Sequence, residues 1–254
     1  MQWTALERDV GASLRSQLRP FDRLAYAAHR LVLVGVDTCM AGSPAGPSHA
    51  AQVQARLLVR LSGDLRVVQL AATRGYSLQA LSVTANIFEL SNAVAYIGTS
   101  TERARAWETH NNIRQTYPPL SRRRDAIRAA LLAITPDIPQ IERRIDEQDL
   151  LYSNLCMAKH GNPRALRHYG LAVSGNRARL YHGPFVADYV TRQGRFALYH
   201  AARMVALATM VFAAPLLPAV SQEARRKYSR AERAIARRIL TLSRKLPGHG
   251  NEAA

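Results

Sequence analysis

The chain has 254 residues, 48% of them hydrophobic, and its 35 basic and 18 acidic residues give a net charge of +17. A chain of this length can bury one large core, or a core with a small appendage. Only 7% of the residues are aromatic, while alanine and leucine are abundant, which disfavours a sheet sandwich and favours packed helices. The sequence therefore predicts an all-α protein.

The N-terminal sequence and the two cysteines bear on the cellular compartment. The first ten residues, MQWTALERDV, contain no apolar segment of the kind that a secretory signal needs. Cys39 and Cys156 match neither a disulfide framework nor the spacing of a metal site. We therefore expect a cytoplasmic protein with two free thiols and with no metal or other cofactor.

Three helices are predicted in the first hundred residues. Residues 21–36 form the first, which ends before a loop rich in glycine and proline. The second, 49–73, carries an apolar stripe with 3–4 spacing, formed by Val53, Leu57, Leu61, Leu65, Val68 and Ala72. Arg74 and Gly75 make a short turn into the third, 76–97, so these two helices are expected to form an antiparallel hairpin.

The second half of the chain is predicted to be helical with one interruption. A short helix follows Gly98, and longer ones are expected at about 120–134, 139–160, 186–214 and 221–246. The segment YGLAVSGNRAR contains a Gly-Asn pair that is typical of a hairpin turn, so we expect a small β-hairpin near 169–182. The predicted fold is a bundle of about seven helices with this hairpin and a basic C-terminal helix.

Most of the chain is expected to form one domain. We assign residues 1–220 to the helical bundle, and 221–246 to a basic amphipathic helix that either packs on the bundle or lies peripheral to it. Residues 247–254 are expected to fray. The uncharged segment 204–220 is short for a membrane span and contains two prolines, so a buried core helix is the favoured interpretation.

The helix predicted at 76–97 is apolar but carries polar residues on one face. Gln79, Ser82, Asn86 and Glu89 recur every three or four residues, which places them on the same side of a helix. A carboxylate in such a helix needs a partner, because an isolated buried charge is costly. Two interpretations follow: Glu89 is a catalytic base or orients one, or it forms an internal ion pair with an arginine and fixes the helix register.

A second polar cluster lies at the end of the helix predicted at 139–160. Tyr152, Cys156, Lys159 and His160 share a face in the segment LLYSNLCMAKHGNP, and Asn162 follows. A lysine and a histidine at a helix C-terminus are favoured by the helix dipole alone. The same cation, imidazole and amide are also suited to binding a phosphate or an RNA backbone, with Tyr152 one turn back.

Both segments carry a resemblance to known proteins. GYSLQA, IFEL, AYIG and the following tryptophan, within Gly75–Glu108, resemble a group of bacterial helical proteins of uncharacterised function. YSNLCMAKHGNP resembles the Tyr-x-x-Leu-Cys-x-x-Lys-His-x-Asn-Pro segment of the same group, and the likeness covers roughly residues 50–165. These proteins are similar in outline to HEPN-type domains, helical bundles that include metal-independent RNases. The resemblance implies an all-α bundle, with Glu89 and His160 as residues to test.

The HEPN active motif is an arginine followed, after four to six residues, by a histidine, and His160 has no arginine at that spacing. The chain contains six such pairs, where chance gives about three for 32 arginines and eight histidines, so their presence carries little information: Arg23/His29, Arg103/His110, Arg105/His110, Arg177/His182, Arg195/His200 and Arg244/His249. Arg195/His200 is the best formal candidate, because it opens a helix after Gly194.

The positive charge is concentrated at the C-terminus. Residues 161–254 contain 16 basic and four acidic residues, and 221–245 contain nine and two. Arginine outnumbers lysine by 32 to three, a bias typical of GC-rich genomes, so a solvated basic face is one interpretation. The others are contact with nucleic-acid phosphates, through residues such as Arg230, Arg233 and Arg237, and contact with an acidic membrane surface.

The favoured functional prediction is binding or cleavage of RNA, without metal, on a HEPN-like scaffold. His160 and Glu89 are the predicted catalytic residues, while Lys159, Asn162, Tyr152, Asn86 and the three C-terminal arginines are predicted to bind substrate. The alternative is a non-enzymatic interaction protein, peripheral to an acidic membrane through its basic helix. The sequence leaves the oligomeric state open and is compatible with a homodimer.

Overall fold

The computed structural model describes residues 3–42, 46–111, 118, 120–132, 138–160, 171–174, 177–180 and 188–246. Within them the chain forms eight α-helices, and the prediction of an all-α protein is confirmed. The helices are α1 (Trp3–Ala41), α2 (His49–Thr73), α3 (Ser77–Ile97), α4 (Thr101–Glu108), α5 (Leu120–Leu132), α6 (Ile138–Lys159), α7 (Asp188–Ala213) and α8 (Gln222–Ser243). A single 3₁₀ turn, Leu217–Ala219, lies between α7 and α8.

The predicted count of about seven helices and the start of α1 need correction. The first helix begins at Trp3 rather than near residue 21, and it continues through Pro20. Proline removes one helical hydrogen bond, but the apolar stripe of Val10, Leu14 and Leu18 is buried and carries the helix across it. Burial of this stripe against the rest of the bundle therefore outweighs the local effect of proline.

The prediction of a β-hairpin as a component of the fold was wrong. In the described residues near 169–182, two four-residue segments, β1 (Leu171–Ser174) and β2 (Arg177–Leu180), pair with each other alone. Neither segment packs extensively on any described helix. A ladder this short is marginal without a hydrophobic face to cover, so it adds no layer to the protein, whose fold class is all-α.

Helix α7 is the centre of the bundle. It packs against α1, α2, α3, α5 and α8, and Leu198, Val205 and Phe212 are among its fully buried residues. By length and composition alone, α7 and the segment Thr4–Ala41 could cross a membrane, but 78% of the apolar window of α7 is buried by protein. This burial is typical of a core helix.

Helices α6 and α8 lie on different sides of that core. Helix α6 packs on α3 and α5, whereas α8 packs on α1 and α7. The inner face of α8 is formed by Tyr228, Ile235 and Leu242, which are all buried. At its contact with α1, a Cβ on Gly35 would lie 3.3 Å from the Tyr228 ring and 2.9 Å from Cγ2 of Thr209, so glycine permits the close approach of these three helices.

Candidate functional site

The contact between α3 and α6 brings together three of the predicted site residues, one of which supplies a carboxylate and two of which bind it. Lys159 donates hydrogen bonds from Nζ to both carboxylate oxygens of Glu89, at 2.9 Å each. The hydroxyl of Tyr152 donates to Oε1 of Glu89 at 2.6 Å, and its ring stacks on Phe88 with 4.9 Å between centroids. The carboxylate of Glu89 is thus held by an ammonium group and a phenol from the facing helix.

Tyr152 acts in this cluster as a proton-bearing donor. Burial raises the pKa of Tyr152 far above its usual range, and its hydrogen bonds with Glu89 and Cys156 raise it further. The phenol therefore keeps its proton at neutral pH and donates a hydrogen bond to the carboxylate of Glu89. The cluster resembles the internal ion pair expected for Glu89, except that the cation is the lysine of α6 and not an arginine.

The structure does not join His160 to this cluster. His160 lies in the exposed turn that ends α6, where its backbone N–H donates to the carbonyl oxygen of Cys156 at 2.9 Å. No ion pair or hydrogen bond links its imidazole to Glu89, although both residues are described. The predicted pairing of Glu89 with His160 as base and orienter is therefore not observed.

Of the two asparagines predicted to bind substrate, the structure describes Asn86 alone. Asn86 lies half-buried on α3, one turn before Glu89, and no described hydrogen bond reaches its side chain. Asn162 lies outside the described residues. The phosphate site expected from Lys159 and Asn162 is thus tested only at Lys159, whose ammonium group is occupied by Glu89.

In the best HEPN-type pair of the sequence, the histidine lies in the core and the arginine is partly exposed. His200 is buried, and its ring contacts those of Phe196 and Tyr199 at centroid distances of 4.2 and 5.1 Å. Its arginine, Arg195, donates to Oε1 of Gln17 at 3.3 Å. A histidine packed among rings in this way is a structural residue, because a substrate cannot reach it without opening the bundle.

The arginines predicted at the C-terminus lie on the outer face of α8, away from α6. Arg230, Arg233 and Arg237 are exposed, and each donates its Nε to the carbonyl oxygen four residues before it. None of the nine basic residues between 225 and 245 forms an ion pair with a carboxylate in the described part of the chain. The guanidinium groups of Arg230, Arg233 and Arg237 are therefore exposed and lie outside ion-pairing distance of any described carboxylate.

A cleft between α1 and α2 was not predicted from the sequence. It has a volume of about 910 Å³, and its walls include five arginines: Arg8, Arg15, Arg19, Arg66 and Arg74. A spacing of four residues between Arg15 and Arg19 was visible in the sequence as a shared helical face. That Arg66 and Arg74 lie opposite them depends on how α2 packs on α1.

Two further polar contacts also escaped the sequence analysis. Glu108 at the end of α4 is bound by Arg56 at 2.5 Å and by Nε2 of His49 at 2.8 Å. Partial desolvation acts to raise the pKa of Glu108, but the hydrogen bonds and charges of Arg56 and His49 outweigh it and lower the pKa. Separately, the hydroxyl of Ser62 is hydrogen-bonded to Nδ1 of His29. Both contacts connect helices, and both involve residues distant in the sequence.

No family model, curated protein or solved structure matches the chain. The resemblance to HEPN-type domains therefore stays a prediction. Within the described residues, no group of histidine, cysteine and carboxylate side chains is arranged to hold a metal ion.

Proposed function

We propose that this protein binds RNA without cleaving it, through the basic outer face of α8. The observation that carries the proposal is the set of nine basic residues between 225 and 245, seven on α8 and two just after it, none of which forms an ion pair with a carboxylate in the described structure. Arginine is well suited to this role because its guanidinium group binds phosphate in a bidentate manner. The rest of α8 supports such a surface.

Helix α8 presents its arginines on a fixed scaffold. Tyr228, Ile235 and Leu242 anchor its inner face in the core, so the outer face does not have to order itself on binding. A helix of 22 residues is about 33 Å long, which is close to one turn of a nucleic-acid duplex. Its charges can therefore contact several phosphates of the same molecule.

RNA is favoured over an acidic membrane because the apolar face of α8 is buried against the rest of the protein. A helix that binds a membrane surface places its apolar face among the lipid headgroups. In this protein that face is covered by α1 and α7, and Leu240 is the large hydrophobic residue of α8 that is exposed. The outer face thus offers charge without an inserting surface, which suits contact with phosphates alone.

Catalysis by Glu89 is disfavoured by its environment. A general base needs a free lone pair directed at the substrate, whereas Lys159 and Tyr152 already occupy three of the roughly four acceptor positions of the Glu89 carboxylate. Its side chain is only 21% exposed. The contacts of Glu89 therefore support a structural role for the α3–α6 cluster, and binding is assigned to α8.

The test is RNA binding by a variant that removes three charges from α8. We expect Arg230→Gln/Arg233→Gln/Arg237→Gln to bind an RNA duplex of about 20 base pairs at least thirtyfold more weakly in fluorescence anisotropy, because three phosphate contacts are lost. The slope of log K against log salt should fall in magnitude by about 2 to 3. Unfolding by urea should be unchanged to within about 0.5 kcal/mol, because these side chains are exposed.

The matched control is Arg105→Gln/Arg122→Gln/Arg143→Gln, which removes the same charge from exposed positions on α4, α5 and α6. It should retain binding to within about threefold, since long-range effects are screened by salt. An equal loss in both variants would show that net charge, not α8, drives binding. Binding to vesicles that contain phosphatidylserine, with none to RNA, would contradict the proposal and favour the membrane alternative.

A further inference from the structure

The cleft between α1 and α2 is a second basic site, separate from α8. Residues 7–22 of α1 form one wall and residues 66–74, at the end of α2, form the other. Helix α8 is not among the elements that line it. With five arginines and two carboxylates in its walls, the cleft has a formal charge of +3.

Three of the five arginines have no acidic partner. Arg15, Arg19 and Arg66 are exposed and form no ion pair or hydrogen bond with any described side chain. The other two are engaged: Arg8 contacts Asp9 at 3.4 Å, and Arg74 contacts Glu7 at 3.5 Å.

The two acidic residues of the cleft are also occupied. Glu7 accepts a hydrogen bond from the hydroxyl of Tyr76 at 2.8 Å, in addition to its contact with Arg74. Asp22 accepts a hydrogen bond from the side-chain amide of Gln69 at 3.0 Å. Because these partners already hold both carboxylates, the free guanidinium groups of Arg15, Arg19 and Arg66 dominate the cleft.

We propose that this cleft binds a compact anion that carries a chain of phosphoryl groups. Arg15 and Arg19 are one helical turn apart, so their side chains are neighbours on α1, and Arg66 approaches from α2 on the other wall. Guanidinium groups on the two walls can bind adjacent phosphoryl groups from both sides, and each guanidinium can donate two hydrogen bonds. A single monovalent anion would leave much of this charge unmatched.

The size and the lining of the cleft agree with a ligand of nucleotide dimensions. Its volume of about 910 Å³ falls within the range of small-molecule sites. Leu70, Ala12 and Gly11 supply an apolar section of the wall beside the arginines, against which a ring could pack. Inorganic polyphosphate and nucleoside triphosphates share the phosphoryl chain and differ in whether that apolar section is used.

The experiment is isothermal titration calorimetry of the full chain with inorganic tripolyphosphate, ATP and AMP at about 150 mM salt. It is run on the α8 variant Arg230→Gln/Arg233→Gln/Arg237→Gln, so that binding at α8 does not contribute. We expect one site for tripolyphosphate and for ATP, with AMP binding at least about tenfold more weakly because it has a single phosphoryl group. Adding Arg15→Gln/Arg66→Gln should weaken tripolyphosphate at least about tenfold.

The control adds Arg23→Gln/Arg30→Gln instead, which removes the same charge from exposed positions of α1 outside the cleft. It should leave the affinity unchanged to within about twofold. Binding of ATP alone, lost in the cleft variant, would support the site and add a requirement for the nucleoside. If neither tripolyphosphate nor ATP binds, the proposal is overturned. It is also overturned if Arg15→Gln/Arg66→Gln and Arg23→Gln/Arg30→Gln weaken binding equally. Either result is independent of RNA binding at α8.

Discussion

The two flanks of the bundle use positive charge in opposite ways. On the α5–α6 flank, Arg124 contacts Asp146 at 2.7 Å and Asp149 at 2.9 Å, and Arg128 contacts Glu142 at 2.9 Å. On the α8 flank, none of the nine basic residues contacts a described carboxylate. The net charge of +17 therefore combines two kinds of arginine: those paired with carboxylates join helices, and those without such partners are available to bind an anion.

The paired flank also shows how such contacts alter ionisation. The hydrogen bond from Arg128 lowers the pKa of Glu142, against a smaller opposing effect of desolvation. The hydrogen bond to Asp146 raises the pKa of Arg124 above its usual value. Each pair thus stabilises its own charged form. Exposed pairs of this kind contribute little individually to the free energy of unfolding. The partly buried cluster of Glu89, Lys159 and Tyr152, where α6 packs on α3, is therefore the better place to test whether paired charges stabilise this flank.

The largest effect on folding is expected from Glu89→Ala. This substitution leaves the ammonium group of Lys159, which is only 25% exposed, without its carboxylate partner. It also removes the hydrogen-bond acceptor of the Tyr152 hydroxyl. We expect a loss of about 2 kcal/mol in the free energy of unfolding by urea, because breaking one member of a partly buried pair strands the other.

The comparison with Lys159→Met isolates the pair itself. The double variant Glu89→Ala/Lys159→Met should lose less than the sum of the two single variants by about 1 kcal/mol or more, as expected for residues in direct contact. Additive losses would mean that the two side chains do not interact energetically, and the paired flank would then lose its main support. A similar loss in the α8 triple variant would remove the contrast between the flanks.

An intermediate effect is expected on the inner face of α8, from Tyr228→Phe. The hydroxyl of Tyr228 is buried without a hydrogen-bond partner among the described groups, so removing it should raise the free energy of unfolding by about 1 kcal/mol at pH 7. Burial, with smaller contributions from Glu232 and Cys39, raises the pKa of Tyr228 far above the ordinary value of 10.0.

The raised pKa of Tyr228 makes stability fall at alkaline pH. Below about pH 10 the Tyr228 phenol is protonated in the folded and in the unfolded chain. Above that pH the unfolded chain releases the phenol proton, while the folded chain retains it. Tyr228 should therefore contribute a drop in stability of about 1.4 kcal/mol per pH unit, a contribution that Tyr228→Phe removes from the wild-type slope. Urea titrations between pH 8 and about 11 measure this. The control is Tyr26→Phe, on a ring that is 66% exposed, which should keep the wild-type slope of unfolding free energy against pH. If Tyr228→Phe keeps that slope as well, Tyr228 does not cause the alkaline loss of stability.

The smallest effect is expected from His160→Ala. The imidazole is exposed and is not joined to Glu89, so neither folding nor RNA binding should change by more than about 0.5 kcal/mol. A time course of RNA cleavage in EDTA should show no activity that depends on His160. Cleavage by the wild type that this substitution abolishes, with folding intact, would establish a metal-independent nuclease and overturn the division of roles between the two flanks.

Several helices could be predicted closely from local pattern. The bounds predicted for α2, 49–73, are those of the structure, where Ser48 caps the helix by accepting from the N–H of Ala51 at 3.2 Å. Helix α3 differs from its prediction by one residue at its start. The N-terminal half of α1 was missed because Pro20 is locally unfavourable, whereas the burial that stabilises this part of the helix involves residues far along the chain.

The candidate sites were predictable only in part. The sequence placed Glu89 on a polar face and indicated an ion-pair partner for it, but the type and position of that partner depended on α6 packing against α3. The cleft was missed because Arg15 and Arg66 are separated by 51 positions, and no local pattern relates them. Conversely, His160 had the best surroundings in sequence, yet the end of α6 leaves it exposed in a turn.

Local sequence patterns were therefore enough to predict the helical class, most helix bounds, the polar faces of α3 and α6, and the excess of positive charge towards the C-terminus. These depend on spacings within one helix, where a period of 3.6 residues relates neighbours in sequence to neighbours in space. The tertiary structure decided which charges are paired, which are exposed and where a cleft opens. Those outcomes depend on the register between helices, which is fixed by the packing of the whole core.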